Sequence, residues 1–391
     1  MARNSIDAVV SWGIASKRND VFNDMKFLPG GTFAMGSDKH YPEEAPVHRV
    51  TVDAFWIDAA PVTNAEFRRF VDETGYVTFA EIAPKAEDYP GALPHMLKPG
   101  SLVFNPPDGA VNLKDWGQWW EFRFGANWRH PQGRGSWIKG LDDHPVVHVA
   151  YKDAEAYAAW AGKSLPTEAE WEFAARGGLE GAEFAWGDEL MPGGQPMANT
   201  WQGDFPHENL KLDGYLRTSP VRAFAPNGYG LYDMIGNVWE WTSDWYAPKH
   251  PADAAKACCI PENPRGPRED QSYDPCQPRI RIPRKVLKGG SHLCAPNYCR
   301  RYRPAARHPE PVDTSTSHVG FRCVLRRRET VRPNRYDDID ADPRLVRGGS
   351  YGLEDRVASY TRHAGGWAGV RPPPLHLPRH HFANWGAATP R

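Results

Sequence analysis

The sequence predicts a chain of the α+β class in which helices and strands are short and loops are long. The 36 Gly and 37 Pro among 391 residues interrupt regular elements. The 16 Trp, 15 Tyr and 16 Phe can fill a core although only 40% of the residues are hydrophobic. Short strand patterns occur beside a few amphipathic helix patterns. A chain of this length holds one large domain or two small ones.

Five strands are predicted. The run MKFLPGGTFAMG at 25–36 indicates two short strands around a Pro-Gly-Gly turn. Residues 48–57 alternate apolar and polar side chains, as a half-buried strand does. Two later strands are expected near 284–290 and 318–326.

Three helices are predicted. Thr63 and Thr167 each begin a Thr-x-x-Glu capping box, in which the Thr and Glu side chains satisfy free backbone N–H groups. Another helix is expected at 152–161. The apolar stripes of the three helices comprise Phe67, Phe70, Val71, Trp171, Phe173, Ala174, Ala156, Tyr157 and Trp160.

The remaining segments show little periodicity. Residues 78–140 and 177–230 are rich in Gly, Pro and Trp, and 246–284 form a loop rich in Pro and charge that carries Cys258, Cys259 and Cys276. Residues 1–24 are predicted to be an N-terminal arm. The segment 329–391 is rich in Arg, Pro and His, lacks a core pattern, and is a C-terminal extension of unknown role.

Charge and composition exclude several classes of protein. The formal net charge is -1, so nothing at the level of the whole chain suggests a nucleic-acid partner. No apolar run has the length of a membrane span, and the apolar stretch at 9–14 is too short for a signal peptide. Six Cys in a chain this long do not make a disulfide framework. We therefore expect a cytoplasmic protein without nucleic-acid or membrane partners.

Cys294 and Cys299 are the most informative pair of residues. Four residues separate them, one of which is proline, so they form neither a Cys-x-x-Cys turn nor one helical face. A Gly-Gly-Ser entry and a following basic run favour the thiolate form. From the spacing, four interpretations stay open: buried inert thiols, a disulfide, half of a zinc site with His292 or His318, and a two-thiolate site for a soft metal such as Cu(I).

Two oxygen-rich segments are candidates for binding a hard cation. In the run 232–241, Asp233 and Glu240 flank a Gly-Asn turn that exposes backbone carbonyls, and Asn199 and Asp213 lie in a loop of similar character. Carboxylates, amides and carbonyls are the ligands that Ca²⁺ prefers. From spacing alone, ordinary surface carboxylates are the preferred interpretation.

Six blocks of sequence together resemble the formylglycine-generating enzymes, the sulfatase-modifying factors. In chain order they are PGGTFAMG (29–36), LPTEAEWE (165–172), NGYGLYD (227–233), GNVWEW (236–241), the segment from KGGS to RYRPAAR (288–307) and GFRC (320–323). PTEAEW and GNVWEW mark the superfamily, whereas the paired cysteines indicate the formylglycine-generating branch. The resemblance covers about 25–328, and it implies a single compact α+β domain of C-type-lectin-like fold, low in regular secondary structure.

The resemblance also implies a reaction. An unfolded or nascent sulfatase would present a Cys-x-Pro-x-Arg segment, whose cysteine is oxidised to Cα-formylglycine with O₂ and a reductant. Cys294 and Cys299 would bind Cu(I) as two thiolates, the substrate thiol would join them, O₂ would react at the loaded metal, and a hydrogen would leave the substrate Cβ. Cys299 matches the indispensable, deeper cysteine, and Cys294 matches the one that also forms a mixed disulfide with substrate. We expect a monomer.

Further site residues follow from the same resemblance. Ser291 and Tyr298 match neighbours of the active site, and Trp239 matches its aromatic wall. Ser315 matches a polar residue beside the oxygen pocket. His318 stands where animal members of the family carry Asn, so a polar role is expected there.

Two calcium sites are implied as well, which raises calcium above the surface-carboxylate interpretation. The predicted ligands are Asn199, the Thr200 carbonyl, Asp213 and the Tyr215 carbonyl for one site, and Asp233, the Gly236 and Val238 carbonyls and Glu240 for the other.

One departure from the animal members concerns disulfides. Ala158 and Ala175 stand at two positions where those enzymes of the endoplasmic reticulum carry disulfide cysteines, which leaves Cys323 without a partner. The departure fits a bacterial enzyme of a reducing compartment.

Two alternatives are weighed against the oxidase. An iron-dependent sulfoxide synthase of the ergothioneine type would need a His-x3-His-x-Glu motif in an N-terminal bundle, and the short arm leaves no room for one. A non-catalytic lectin-like binding module is common among relatives that lack the cysteines. The presence of both cysteines, Ser291 and Trp239 argues against such a module.

Overall fold

The computed structural model describes residues 24–87, 93–251, 254, 256, 260–278 and 281–326. The C-terminal extension predicted at 329–391 lies outside the described residues, as do Cys258, Cys259 and all of the predicted arm except Asp24. Within the described part, regular structure is sparse, with three α-helices and eleven strands. All of these strands except one are at most five residues long. No helix in this part combines the length and apolar character needed to cross a membrane.

The helices are α1 (Asn64–Thr74), α2 (Tyr151–Trp160) and α3 (Glu168–Arg176). The strands are β1 (Met25–Leu28), β2 (Gly31–Met35), β3 (His48–Val52), β4 (Phe55–Asp58), β5 (Gly100–Phe104), β6 (Trp120–Phe124), β7 (Trp239–Trp245), β8 (Arg284–Lys288), β9 (Arg307–Pro311), β10 (Val319–Gly320) and β11 (Val324–Arg326). They form a three-stranded sheet in the order β1-β4-β11, a four-stranded sheet in the order β10-β7-β8-β9, and the pairs β2-β3 and β5-β6.

The predicted capping boxes begin two of the helices. At α3, Glu170 N–H donates to Thr167 Oγ1 at 3.1 Å, and Thr167 N–H donates to the Glu170 carboxylate at 2.7 Å; Thr63 begins α1 in the same way. Gly75 and Gly177 end these helices in the left-handed conformation, with φ of 68° and 58°. The predicted stripes of α1 and α3 are buried, and that of α2 is buried or half-buried.

The segment 48–57, predicted as one strand, is two strands in different sheets. β3 pairs with β2, whereas β4 pairs with β1 and β11. The corner is fixed by Asn263, whose side-chain amide accepts from the Asp53 N–H and donates to the Asp53 carboxylate, both at 2.8 Å. The apolar positions change phase at this corner, from Val52 to Phe55, so the sequence did carry a signal for the break.

Four strands, β5, β6, β7 and β9, fall in segments where none was predicted. β6 has the Trp-Glu-Phe-Arg-Phe alternation of a half-buried strand within the supposed loop 78–140. β7 is buried at nearly every position and therefore shows no alternation. β9 carries Pro309 and Pro311, which an edge strand tolerates because its outer N–H positions need no partner. The strand expected near 284–290 is β8, and the one expected near 318–326 is divided into β10 and β11.

Helix α3 is buried along its whole length and connects the core to the segment that bears the cysteines. Glu172 accepts from Arg176 at 2.7 Å and from Lys288 at 3.0 Å. Burial opposes ionisation of Glu172, but the two cations outweigh it and lower its pKa to about 2. Because Lys288 ends β8, this buried ion pair fixes the strand at the point where the cysteine loop begins.

Candidate active site

The cysteine loop leaves β8 through Gly289 and Gly290, which have φ of 92° and 71°. A Cβ on Gly290 would approach backbone atoms of Arg301 and Tyr302 to 3.0 Å, so glycine allows the entry and exit of the loop to lie against each other. The loop then turns tightly, with Cys299 N–H donating to the Ala295 carbonyl at 2.9 Å. This turn brings the two cysteines together.

The sulfurs of Cys294 and Cys299 lie 3.3 Å apart, and both side chains are buried, with 2% and 6% exposed. Burial raises the pKa of Cys294 well above its usual range. A hydrogen bond from the Cys294 thiol, together with the Arg301 guanidinium, lowers the pKa of Cys299 against its own burial. We therefore expect the pair to share one proton, with Cys299, the sulfur next to Arg301, as the thiolate.

The geometry bears on two of the four interpretations of the pair, the disulfide and the zinc half-site. At a separation of 3.3 Å the two sulfurs are not bonded to each other in this structure, since disulfide sulfurs lie roughly 2.05 Å apart. The zinc half-site is not assembled in the described ranges, because neither His292 nor His318 forms a metal-binding group with the two cysteines. Within the described ranges, no group of three or more His, Cys, Asp and Glu side chains could hold a metal ion. Two adjacent sulfurs, one of them anionic, remain a donor set suited to a soft metal.

Arg301 is a site residue that the sequence did not single out. Its Nη1 lies 3.9 Å from Cys299 Sγ, its Nη2 donates to Glu43 at 2.6 Å, and its guanidinium lies 4.0 Å from the centre of the Tyr41 ring. Tyr41 also accepts from the Arg300 N–H at 3.1 Å. The basic run after the cysteines was the visible signal, but its partners are more than 250 positions earlier in the chain.

Ser291 and Tyr298 flank the pair within the cysteine loop, and the roles that the resemblance implies for them stay predictions. Ser291 N–H donates to Cys294 Sγ at 3.4 Å, and Ser291 Oγ accepts from the Leu293 N–H. The Tyr298 ring stacks on Phe205 at 4.5 Å and meets Trp119 edge-on at 5.5 Å. These aromatic contacts fix the ring next to the cysteines.

The remaining predicted residues lie in a connected group. Trp239 belongs to the same apolar cluster as both cysteines, and its backbone N–H donates to the His318 carbonyl at 2.9 Å. The His318 ring is buried 4.8 Å from Trp120, and burial lowers its pKa well below the usual range. Ser315 lies in the same loop as His318, with its hydroxyl 2.8 Å from that of Ser101.

The first predicted calcium group is assembled around Asp213. Its carboxylate accepts from the N–H groups of Thr200 and Tyr215, at 3.1 Å and 2.9 Å. Asn199 is buried next to Thr200 and donates to the Arg217 carbonyl. Gln202, which the sequence did not indicate, donates its amide to Asp213 at 2.7 Å and to the Thr200 carbonyl. Burial raises the pKa of Asp213, so a bound cation would favour the charged form of this carboxylate.

The second predicted group already contains a cation. Arg322 donates to both oxygens of Glu240, at 2.7 Å and 2.8 Å, and to the carbonyl of Asp233 at 3.2 Å. Trp171 donates to the same Glu240 carboxylate at 2.7 Å. The guanidinium thus neutralises Glu240, and the positive charge of Arg322 would repel a nearby Ca²⁺. The donor set of the first group fits a hard cation better.

Cys323, for which the sequence offers no disulfide partner, is a buried free thiol. Burial raises its pKa well above the usual range, and its N–H donates to the Asp58 carboxylate at 2.9 Å. Ala158 and Ala175 are buried in well-packed positions. The core therefore depends on packing here, without a covalent link through Cys323.

The fold and the dithiol loop define a family, and the comparison with known proteins agrees: the chain belongs to the formylglycine-generating enzyme family. Residues 14–327 match the family described as sulfatase-modifying factor enzyme 1-like domain. The chain is 56% identical over 298 residues to the formylglycine-generating enzyme of Mycobacterium tuberculosis H37Rv, covering 76% of this chain and 96% of that protein. It is 48% identical over 302 residues to the enzyme of Streptomyces coelicolor, covering 76% and 87%.

A third relative is described as an inactive C-alpha-formylglycine-generating enzyme 2, from Bos taurus. It is 45% identical over 308 residues, covering 77% of this chain and 87% of that protein. The predicted family and the predicted fold class, a single α+β domain of this family with little regular structure, are confirmed. The boundaries at residues 25 and 328 stay predictions.

Proposed function

We propose that this chain is an oxidase that activates sulfatases by converting the cysteine of a Cys-x-Pro-x-Arg segment to Cα-formylglycine. The observation that supports this most directly is the buried pair of Cys294 and Cys299, with sulfurs 3.3 Å apart. Named relatives at 56% and 48% identity are formylglycine-generating enzymes, which supports the same activity. The client would be an unfolded or nascent sulfatase.

The reaction needs both O₂ and a reductant. Replacing a CH₂–SH group by an aldehyde, with sulfur leaving as hydrogen sulfide, consumes one O₂ and releases one water. Two electrons and two protons close this balance, and a reductant must supply the electrons. The thiol pair itself is not consumed, so it acts as a binding site.

Cys294 and Cys299 would hold Cu(I) as two thiolates. When bound, Cu(I) would supply a soft site that takes the substrate sulfur and passes electrons to O₂. The Cys299 thiolate is ready to bind, because Arg301 and the Cys294 thiol stabilise its charge. Cys294 must first lose its proton, and the Ser291 N–H directed at its sulfur stabilises the resulting anion.

A polypeptide substrate can approach this site from the surface. The cysteines themselves are buried, but Pro296, Asn297 and Arg300 in the same loop are exposed. The loop that carries the cysteines therefore reaches the protein surface. An extended segment of an unfolded client is a shape that can place a single cysteine there.

The remaining parts of the proposal concern structural calcium ions, oligomeric state, cellular location and partners. We infer a structural Ca²⁺ held by Asn199, Thr200, Asp213 and Tyr215, and a second, less favoured, near Asp233, Gly236, Val238 and Glu240. A cytoplasmic location fits the free, buried thiol of Cys323, and we retain the proposal of a monomer. The near-neutral formal charge gives no reason to propose a nucleic-acid partner.

The test is conversion of a Cys-x-Pro-x-Arg peptide by the Cu(I)-loaded protein under air with a thiol reductant. We expect an aldehyde that reacts with hydroxylamine, and we expect Cys299→Ser to abolish it. Cys276→Ser is the matched control, since Cys276 is an exposed thiol in another loop. A wild-type protein that binds the peptide without producing aldehyde would instead be a binding module.

A further inference from the structure

Strand β6 carries a row of aromatic side chains that runs from the protein interior to the surface. Trp120, Phe122 and Phe124 occupy alternate positions and therefore lie on one face of the strand. Trp120 is 9% exposed, whereas Phe122 and Phe124 are 46% and 41% exposed. The two phenylalanine rings form an edge-to-face pair with centroids 5.9 Å apart. We call Phe122 and Phe124 the aromatic strip.

Strand β6 begins beside the cysteine loop. Trp119, the residue before the strand, meets the Tyr298 ring edge-on at 5.5 Å, and Tyr298 directly precedes Cys299. Because a strand rises by ~3.3 Å per residue, the two phenylalanines of the aromatic strip lie roughly 7 and 13 Å along β6 from its first residue. The strip is therefore continuous with the candidate active site through the strand that bears it.

β6 is also an edge strand in the part of the chain that the structure describes. It pairs with β5 alone, whereas β5 is bonded on its other side to Ser315, whose carbonyl accepts from the Leu102 N–H at 3.3 Å. Glu121 and Arg123 lie on the opposite face of β6 and form an ion pair at 2.8 Å, so these charges do not interrupt the aromatic face. A strand edge with exposed aromatic side chains is a surface to which an extended polypeptide can add a strand.

We propose that the aromatic strip and the edge of β6 form a docking surface for the extended client polypeptide on the residues that flank its Cys-x-Pro-x-Arg motif. The inference rests on the proposed function, which requires an unfolded client segment at Cys294 and Cys299. With the client cysteine held there, the flanking residues extend past Tyr298 and Trp119 to β6. Main-chain hydrogen bonds to a strand edge suit clients of different sequence, and apolar side chains at alternate client positions pack on the strip.

The client, rather than a second copy of this chain, is the occupant that the geometry favours. A stable dimer buries roughly 1,200–2,000 Å² of surface, far more than two partly exposed phenylalanine side chains supply. A client held at the cysteine pair needs much less, because its flanking residues are already confined near the strip and bind it as part of the same molecule. Continuity with the cysteine loop therefore makes a small apolar surface sufficient.

The test compares the binding of two labelled peptides to the metal-free, full-length protein by fluorescence anisotropy, so that docking is separated from catalysis. The core peptide holds only the Cys-x-Pro-x-Arg motif with serine in place of the cysteine, and the extended peptide adds alternating Val and Ser on both sides. We expect the extended peptide to bind about tenfold more tightly than the core peptide. The double variant Phe122→Ser/Phe124→Ser should remove this difference and leave the Kd of the core peptide unchanged.

Phe27→Ser is the matched control. Phe27 is also an exposed phenylalanine on a short strand, 50% exposed, but it lies in another sheet with its ring 5.1 Å from that of Trp56. It should leave the Kd of both peptides unchanged. The proposal is overturned if the extended peptide binds no better than the core peptide, or if the double variant weakens both peptides equally, which would assign the two phenylalanines to the structure of the site.

A second arm uses the Cu(I)-loaded enzyme and peptides that retain the cysteine. The double variant should raise KM for the extended peptide about tenfold with kcat unchanged, because the strip supplies binding away from the reacting sulfur. A dimer of the wild type in light scattering that the double variant dissociates would give the strip to a second copy and overturn the proposal. If the extended peptide binds through the strip but no formylglycine forms, the proposed function fails and the docking surface stands.

Discussion

The charge on Arg301 should control how readily Cys299 ionises, and Arg301→Gln removes that charge while keeping a polar side chain. With 3.9 Å between Nη1 and the sulfur, Coulomb's law gives about 4 kcal/mol at an effective dielectric constant of about 20. Glu43, 2.6 Å from the same guanidinium, offsets part of this. Since one pKa unit is about 1.4 kcal/mol, we expect the pKa of Cys299 to rise by about one to two units.

Alkylation of the metal-free protein by iodoacetamide measures this change. Only the thiolate reacts, so the rate at Cys299, followed by mass spectrometry over a range of pH, has a midpoint at its pKa. Burial slows the reaction at every pH equally and leaves the midpoint in place. The pKa of Cys299 is about 6, so Arg301→Gln should move the midpoint upward and reduce the rate at pH 7 by roughly two- to tenfold.

Two further variants sharpen the result. Arg300→Gln is the matched control, because Arg300 is exposed and pairs with Glu183 rather than with a sulfur. Cys294→Ala removes the largest cause of the lowered pKa, the thiol hydrogen bond, and should raise the midpoint at least as far as Arg301→Gln. The electrostatic account is refuted if Arg301→Gln and Arg300→Gln give the same midpoint as the wild type.

Three other outcomes follow from the structure. Binding of Cu(I) near neutral pH should release about one proton, from Cys294 alone, which calorimetry in buffers of different ionisation enthalpy can count; a release of two would contradict the thiol–thiolate assignment. Burial raises the pKa of Glu310 from 4.5 to about 8, so folding takes up a proton and stability falls as pH rises from 4.5 toward 8, by at most about 5 kcal/mol. Glu310→Gln should flatten that fall in thermal denaturation, and parallel curves would disprove it. A calcium chelator should lower the Tm of the wild type but not of Asp213→Asn, whereas an equal drop in both would remove Asp213 from the ligands.

Local features of the fold were predictable because their causes are local. The capping boxes at Thr63 and Thr167 need only four consecutive residues, and the buried stripe of α1 repeats within two turns. The strand β7 was not predictable in this way. Its burial on both faces removes the alternation by which a strand is recognised, and its partners β8 and β10 lie 39 or more positions later in the chain.

The candidate site also contains residues that the sequence could indicate and residues that it could not. The cysteines, with their Gly-Gly entry, could be read from one segment, and the resemblance supplied Ser291, Trp239 and Tyr298. The sequence could not single out Arg301 among its basic neighbours as a site residue. What distinguishes Arg301 is its ion pair with Glu43 and its short distance to the Cys299 sulfur. Likewise Glu240, expected beside calcium, is compensated by Arg322, which follows it by 82 positions and which no spacing rule connects to it.

The asymmetry of the thiol pair gives the predicted division of labour a physical basis. Arg301 acts on Cys299 from a fixed position, so this sulfur is the anion and the better permanent ligand. Cys294 is a thiol of raised pKa and by itself a poor nucleophile. A mixed disulfide between Cys294 and a client thiol is a two-electron oxidation, for which O₂ would be the oxidant, and the Cys294 proton would pass to Cys299, 3.3 Å away. Cu(I) held by both thiolates would remove that acceptor, so the metal-bound pair and the disulfide-forming pair are mutually exclusive states of one site.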